Sequence, residues 1–273
     1  LDEKGFEAAR KAAQEIARAN WKDSGEKDGF IFQTAEEKFP ATVFKGYETT
    51  ETDSVILGLL DLKVKMVDSL HAGSGGHAVL DVTPFYAESG GQVGDVGDLF
   101  SGEVSVAGVI NTQKPVAKVY FHHVKPAAAL KTGMKVRAKV STLRHNTACN
   151  HTAIHVVNAA LKKVFGEATR QAGSEVAPNR FRFDYTITKT PSKEEMAEVE
   201  RIANEALSRK FKVLKMERPL TDAAKFGATT LLGEKYQDPA RFVLINKDGW
   251  DSAGDHYSLE LCGGTHIDSI GEM

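Results

Sequence analysis

The sequence predicts an α+β protein in three parts: an N-terminal helix and linker over 1–40, a small β-barrel-like domain over 41–140, and a C-terminal domain over 141–273 with helices packed on an antiparallel sheet. Three observations carry this. An amphipathic stripe opens the chain, a run of short strands without a long helix follows, and helical and alternating segments then intermix.

Residues 3–21 place Phe6, Ala9, Ala13, Ile16, Ala17 and Trp21 on one helical stripe, with Lys and Glu elsewhere. Lys22 to Glu37 is polar with Gly and Asp and reads as a linker. Strands are expected at Ser54–Leu60, Leu62–Val67, His77–Thr83, Val104–Ile110, Val116–His123 and Met134–Val140, a spacing that suggests a compact barrel or sandwich. Helices are expected over His151–Phe165 and Ser192–Lys210, the second opened by a capping box at Ser192 and Glu195. They flank the alternating strand 180–185, and strands near 211–216, 242–246 and 257–262 follow.

Composition excludes several classes. With 41% apolar and 26% charged side chains, the 273-residue chain is neither collagen-like nor wholly disordered. No apolar run approaches the ~18–20 residues that cross a bilayer. No basic flank precedes an apolar core at Leu1-Asp2-Glu3-Lys4, so neither a membrane partner nor a secretory leader is expected. A start at Leu1 and an abrupt stop at Met273 suggest a piece of something longer. Two cysteines cannot make a disulfide framework, which points to a reducing, cytoplasmic setting. The net charge of −2 hides a local imbalance. Residues 141–218 carry 14 Lys/Arg against 9 Asp/Glu, and 219–273 carry 4 against 9. The basic surplus fits a solvated helix face as well as a nucleic-acid footprint.

The chemistry gathers in two short motifs. His151-Thr152-Ala153-Ile154-His155 places two imidazoles one helical turn apart. They share a polar stripe with Asn158 and Lys162, whereas Ile154, Val157, Leu161 and Val164 form the apolar one, so the histidines are not expected in the core. Cys262-Gly263-Gly264-Thr265-His266 joins a thiol and an imidazole through two glycines that permit a tight turn. Three imidazoles and a thiolate suit a tetrahedral zinc, either a closed structural ion or one that keeps a position for water or substrate. Thr152 stands where a zincin protease needs Glu, so that class is excluded.

A third motif, Thr83-Pro84-Phe85-Tyr86-Ala87-Glu88-Ser89-Gly90-Gly91-Gln92-Val93-Gly94-Asp95, is not a P-loop because no Gly-Lys-Ser/Thr follows. It reads as a strand end and a hairpin turn needing positive φ at glycine. The competing reading is a close backbone approach to a ligand, with Thr83 and Gln92 offering hydrogen bonds.

Together, Thr83 to Gly94, Asn150 to His155, Gln171-Ala172-Gly173-Ser174, Arg182-Phe183-Asp184 and Leu261 to His266 resemble the successive motifs of the alanyl-tRNA synthetase editing domain and of the stand-alone alanyl-tRNA editing proteins. The resemblance spans most of 40–270, and residues 1–21 resemble the helical segment that precedes this domain in the synthetase. It implies hydrolysis of the ester joining serine or glycine to the 3′ end of alanine tRNA, with zinc held by His151, His155, Cys262 and His266. The rest of the synthetase would be a partner, and a mitochondrial or plastid parent stays open beside a cytoplasmic one. Gln171 matches a glutamine of the editing centre and Thr83 a threonine near the amino-acid pocket. Ile154 departs from the family, which commonly has Thr or another residue there. The class II aminoacylation motifs are not in this chain, so ATP binding and tRNA charging are not expected.

Under that resemblance, Gln171, Thr83 and Gln92 are the catalytic candidates and the backbone at Gly90 and Gly91 would orient the ester. Alanine lies between glycine and serine in size, so size alone cannot reject it; a hydrogen bond to the serine hydroxyl, with Thr83 as partner, can. Arg144, Lys162, Lys163, Arg170, Arg180 and Arg182 are candidates by charge for tRNA phosphates. No Asp or Glu in a motif is an evident general base.

Overall fold

The computed structural model describes residues 38–116, 118–231, 236–250 and 256–273. The expected N-terminal helix and linker lie outside the described residues, apart from the last few positions before 40.

The chain divides into two compact units: residues up to Phe85 with Gly97–Lys139, and Tyr86–Val96 with Val140–Met273. The first unit is built on β1 (Glu51–Asp61), β2 (Gly76–Leu80), β3 (Gly97–Ser101), β4 (Val104–Gln113), β5 (Phe121–Pro126) and β6 (Lys135–Val140). They hydrogen-bond in the order β6-β3-β4-β5-β2-β1, and β1 also pairs antiparallel with β6 through Val55↔Lys135 to Glu51↔Lys139, which closes a six-stranded barrel. Closure removes the exposed edges that an open sheet would leave. Both faces of its strands are buried in places: Ile56, Leu80, Leu99, Val109 and Val136 are buried, and Leu60, Val79 and Phe121 pack with Val116 and Val119.

The strand expectations need four corrections. Of Val116–His123 only 121–123 is strand among the described residues, as the start of β5. Leu62–Val67 is mostly turn, and only Met66–Val67 pairs back on β1. His77–Thr83 is interrupted at Asp81, whose carboxylate takes the backbone N–H groups of Val55 and Val82 at 2.7 Å each. The sixth barrel strand is instead β3, whose Gly97-Asp98-Leu99-Phe100-Ser101 sequence has weak strand propensity and pairs because β4 lies beside it.

In the second unit, α1 (Leu143–Phe165) is followed by the hairpin β7 (Arg170–Ala177) and β8 (Arg180–Thr186), then α2 (Lys193–Ser208), β9 (Lys212–Arg218), α3 (Thr221–Phe226), β10 (Ala240–Asn246) and β11 (Ser258–Leu261). β9, β10 and β11 form an antiparallel sheet with β10 central. α2 opens with the capping box at Ser192 and Glu195. α1 begins eight residues earlier than its apolar stripe suggests, because 143–150 carry no such stripe. Its apolar side packs with α2 through Ala160, Leu161 and Val199. Among the described residues no helix is long and apolar enough to cross a membrane.

Tyr86–Val96 belongs to this second unit rather than to the barrel half in which it falls by sequence. Ser89 and Gln92 pair across a two-residue turn in which Gly90 (φ 59°) and Gly91 (φ 80°) take the left-handed conformation. Gln92 then bridges in parallel to Val176 of β7, with Val93 N–H on Val176 O at 3.0 Å and Val176 N–H on Gly91 O at 2.8 Å. Arg144 on α1 donates to the buried Asp95 carboxylate, which also accepts the Tyr86 N–H at 2.6 Å. Burial pushes the Asp95 carboxyl up, and the Arg144 guanidinium works against that rise.

Candidate metal centre

His151 and His155 project from one side of α1, and Cys262 and His266 from the turn after β11. The four potential ligand atoms all lie within 4.8 Å of one another. Cys262 Sγ is 3.4 Å from both His151 Nε2 and His266 Nε2. Tetrahedral zinc bonds of ~2.0–2.3 Å imply ligand separations of about 3.5 Å. The cluster therefore has the dimensions of a single-ion cradle.

Outer partners fix which nitrogen of each imidazole faces inward. His151 Nδ1 is 2.7 Å from Gln92 Oε1, which also accepts the Thr265 N–H at 2.9 Å, so that atom is an acceptor and Nδ1 donates. The Gln92 amide nitrogen donates to Thr265 Oγ1 at 2.9 Å. The Thr152 hydroxyl donates to Ala148 O at 2.8 Å, so its oxygen receives His266 Nδ1 at 3.2 Å. His155 Nδ1 lies 3.0 Å from Glu260 Oε2. All three rings thus place Nδ1 within 3.2 Å of an outer oxygen, which leaves Nε2 for the inside, the second-layer arrangement found around metal-bound histidines. Neither His155 nitrogen has a partner of good hydrogen-bond geometry among the described residues: Nδ1 meets Glu260 Oε2 as a close ion pair, which leaves the buried Nε2 free to face a cation.

The electrostatics of the metal-free cluster favour a thiolate at Cys262 and a neutral ring at His266, and keep a proton on His155. Burial works against charge on Cys262, but the neighbouring His151 and His266 prevail and hold its thiol well below the ordinary value. Burial drives His266 well below its usual value. Burial opposes charge on His155 too, yet the Glu260 carboxylate and Cys262 carry it up to about 10, so the metal-free ring holds a proton that an incoming metal ion must displace. Glu260 itself is held down by His155 and Asn158 against its burial. A thiolate beside imidazoles, with a carboxylate behind one of them, can hold a metal ion.

The polar stripe of α1 was expected outside the core, but His151, His155 and Asn158 are 5%, 4% and 1% exposed. The reason is that both sides of α1 are covered: α2 takes the apolar side, while β11, the Cys262–His266 turn and the 86–96 segment take the polar one. The turn is pinned by Arg241, which donates to Cys262 O at 2.8 Å and Gly264 O at 2.9 Å. Gly264 is not at positive φ; it is needed because a Cβ there would stand 2.0 Å from His151 Cε1.

The other sequence candidates fall into groups. Gln171 donates to Ser174 Oγ at 3.0 Å, and Gly91 packs so closely on Ser174 that a Cβ would meet its carbonyl oxygen at 2.6 Å. Gln171, Ser174, Gly91, Gln92 and His151 thus form one continuous chain of contacts. Gly90 sits exposed at the tip of that hairpin. Thr83 lies in the barrel unit, fully buried, 2.7 Å from His122 Nε2. His122 Nδ1 donates to Ala78 O at 3.0 Å, so Nε2 accepts the Thr83 proton, while Thr83 Oγ1 accepts the Phe85 N–H at 3.2 Å. Arg144, a tRNA candidate by charge, is buried on Asp95 and is taken up in folding the chain rather than displayed. Lys162 is half-buried and donates to Thr229. Lys163 is exposed over the Tyr257 ring at 4.5 Å, Arg170 is exposed, and exposed Arg182 pairs with Asp184 at 3.2 Å. Sequence reasoning missed Glu260, Thr152, Thr265 and Arg241; only Glu260 left a trace, as a lone carboxylate within Ser258-Leu259-Glu260-Leu261.

Residues 1–144 match the family described as tRNA synthetases class II (A). The chain belongs to that family. Alanine--tRNA ligases align with its whole length: that of Elusimicrobium minutum at 42% identity over 274 residues, and those of Parvibaculum lavamentivorans and Caulobacter vibrioides at 38%. The chain spans 31% of each of these relatives. The metal cluster lies beyond the family match, in the stretch aligned with these ligases.

Proposed function

We propose that this chain is the proofreading part of an alanine--tRNA ligase: a zinc-dependent deacylase that hydrolyses seryl- and glycyl-tRNA(Ala) at the acceptor end. The carrying observation is the convergence of three imidazoles and one thiol sulfur, each imidazole with its Nδ1 within 3.2 Å of a separate oxygen. His151, His155, Cys262 and His266 would hold the ion. When bound, zinc supplies a Lewis acid that can orient or polarise an oxygen or amine of the ester.

The remaining work falls to the protein. The Gln171 amide and the exposed backbone at Gly90 and Gly91 would align the ester, an activated bond for which positioning contributes much of the rate. Gln92 acts by positioning, since both ends of its amide are committed to His151 and Thr265. Glu260 is committed to His155, Asn158 and Ser258 and is not available as a base. Thr83 would sense the serine hydroxyl. Its proton is committed to His122, so it can only accept, and its burial requires the segment around it to shift. Lys163, Arg170, Arg180 and Arg182 would meet phosphates, and log affinity for tRNA should then fall with log salt at a slope of about 3–4.

A second reading has its own support: four candidate protein ligands would be enough to close a tetrahedral site, as in structural zinc sites. In that case the chain is a zinc-stabilised tRNA-binding module without turnover. Deacylation of mischarged seryl- and glycyl-tRNA(Ala), with Cys262→Ala and His151→Ala as controls, separates the two. Turnover lost in both variants supports the proposal. Zinc retention with no turnover by the unaltered chain refutes it.

A further inference from the structure

Glu260 is the one carboxylate that touches a ligand of the metal cluster among the described residues, and no motif pointed to it. It sits on β11, 6% exposed, two residues before Cys262. Oε2 faces His155 Nδ1 at 3.0 Å; Oε1 accepts from Asn158 Nδ2 at 2.9 Å and from Ser258 Oγ at 3.2 Å. Such a buried anion is costly unless paired.

The charges decide its purpose. A divalent ion with one thiolate and three neutral imidazoles carries one net positive charge. In a site as buried as this one that surplus is poorly screened, and the Glu260 carboxylate cancels it. We propose that Glu260 is a positioning residue of the metal centre: it fixes His155 with Nε2 as the ligand atom and neutralises the loaded site. The inference rests on the metal-binding part of the proposed function and is independent of the deacylase part.

Glu260→Gln tests the charge with little change of shape. The new amide oxygen can still accept from His155 Nδ1. Its NH2 can meet Asn158, whose Oδ1 is buried without a hydrogen-bond partner and becomes the acceptor if that side chain flips. Zinc affinity of the 273-residue chain, measured by competition with a chromophoric chelator, should fall about 10–100-fold in Glu260→Gln. Ser258→Ala removes a partner of the other carboxylate oxygen only, and should lose much less. Equal affinity of Glu260→Gln and the unaltered chain, or equal losses in the two variants, overturns the proposal while leaving the metal site standing. Failure of the unaltered chain to bind zinc instead removes the metal reading itself, and this inference with it. Should Glu260→Gln not fold, long-range 1H–15N imidazole spectra of the zinc-loaded unaltered chain decide. The proton on His155 Nδ1 with Nε2 bound supports the assignment, and metal on Nδ1 overturns it.

Discussion

Gly264→Ala probes the metal centre through a single methyl group. The added Cβ would stand 2.0 Å from His151 Cε1, 2.2 Å from its Nδ1 and 3.0 Å from Gln92 Oε1. Carbon atoms in contact sit ~3.5–4.0 Å apart, so ring or turn must retreat by about 1.5 Å. Neither moves freely. His151 is tied to Gln92 at 2.7 Å, and the turn is held at Cys262 O and Gly264 O by Arg241. Metal–ligand distances tolerate about 0.2 Å, so a displacement of this size removes a ligand. Zinc affinity should therefore drop by more than the ~10–100-fold that follows loss of an outer hydrogen bond. Overpacking should also cost the apo fold about 1–3 kcal/mol. Chelator competition and urea unfolding of the two proteins measure both quantities. Wild-type zinc affinity in Gly264→Ala would refute the steric argument, because Gly264 has no positive φ to offer as an alternative reason for its identity.

Three further outcomes follow from the geometry. Burial lowers His122 from 6.5 to about 4, so the folded state refuses a proton that the unfolded chain accepts between those values; about 3 kcal/mol of stability should be lost as pH falls from 6.5 to 4, and urea midpoints that stay flat across that window would contradict it. Arg144→Met leaves the Asp95 carboxylate buried without its cation and should cost about 3–5 kcal/mol, read as a lower thermal midpoint; an unchanged midpoint would show that the pair is not structural. Thr83→Val should reduce hydrolysis of seryl-tRNA more than of glycyl-tRNA, and equal loss on both substrates would remove Thr83 from amino-acid sorting.

Local chemistry was legible without a structure. Periodicity marked α2 and its cap, because Ser192 and Glu195 satisfy each other within four residues. The i,i+4 histidines and the Cys–Gly–Gly–Thr–His turn announced a His/Cys cluster that could hold a metal ion, since ligand type and helical spacing are local properties. Gly90-Gly91 announced a left-handed hairpin for the same reason.

Long-range contact decided the rest. That β1 closes on β6, and that Gly97–Ser101 is a strand at all, depends on neighbours far away in the chain. That 86–96 leaves the barrel half and delivers Gln92 to His151 depends on pairing with β7 and on the Arg144–Asp95 contact. Glu260 became visible as a partner of His155 only once β11 lay against α1. The amino-acid order by itself determined which side chains could ligate a metal; the tertiary fold alone determined which oxygens orient them, because a hydrogen bond across a hundred residues leaves no periodic trace in the chain.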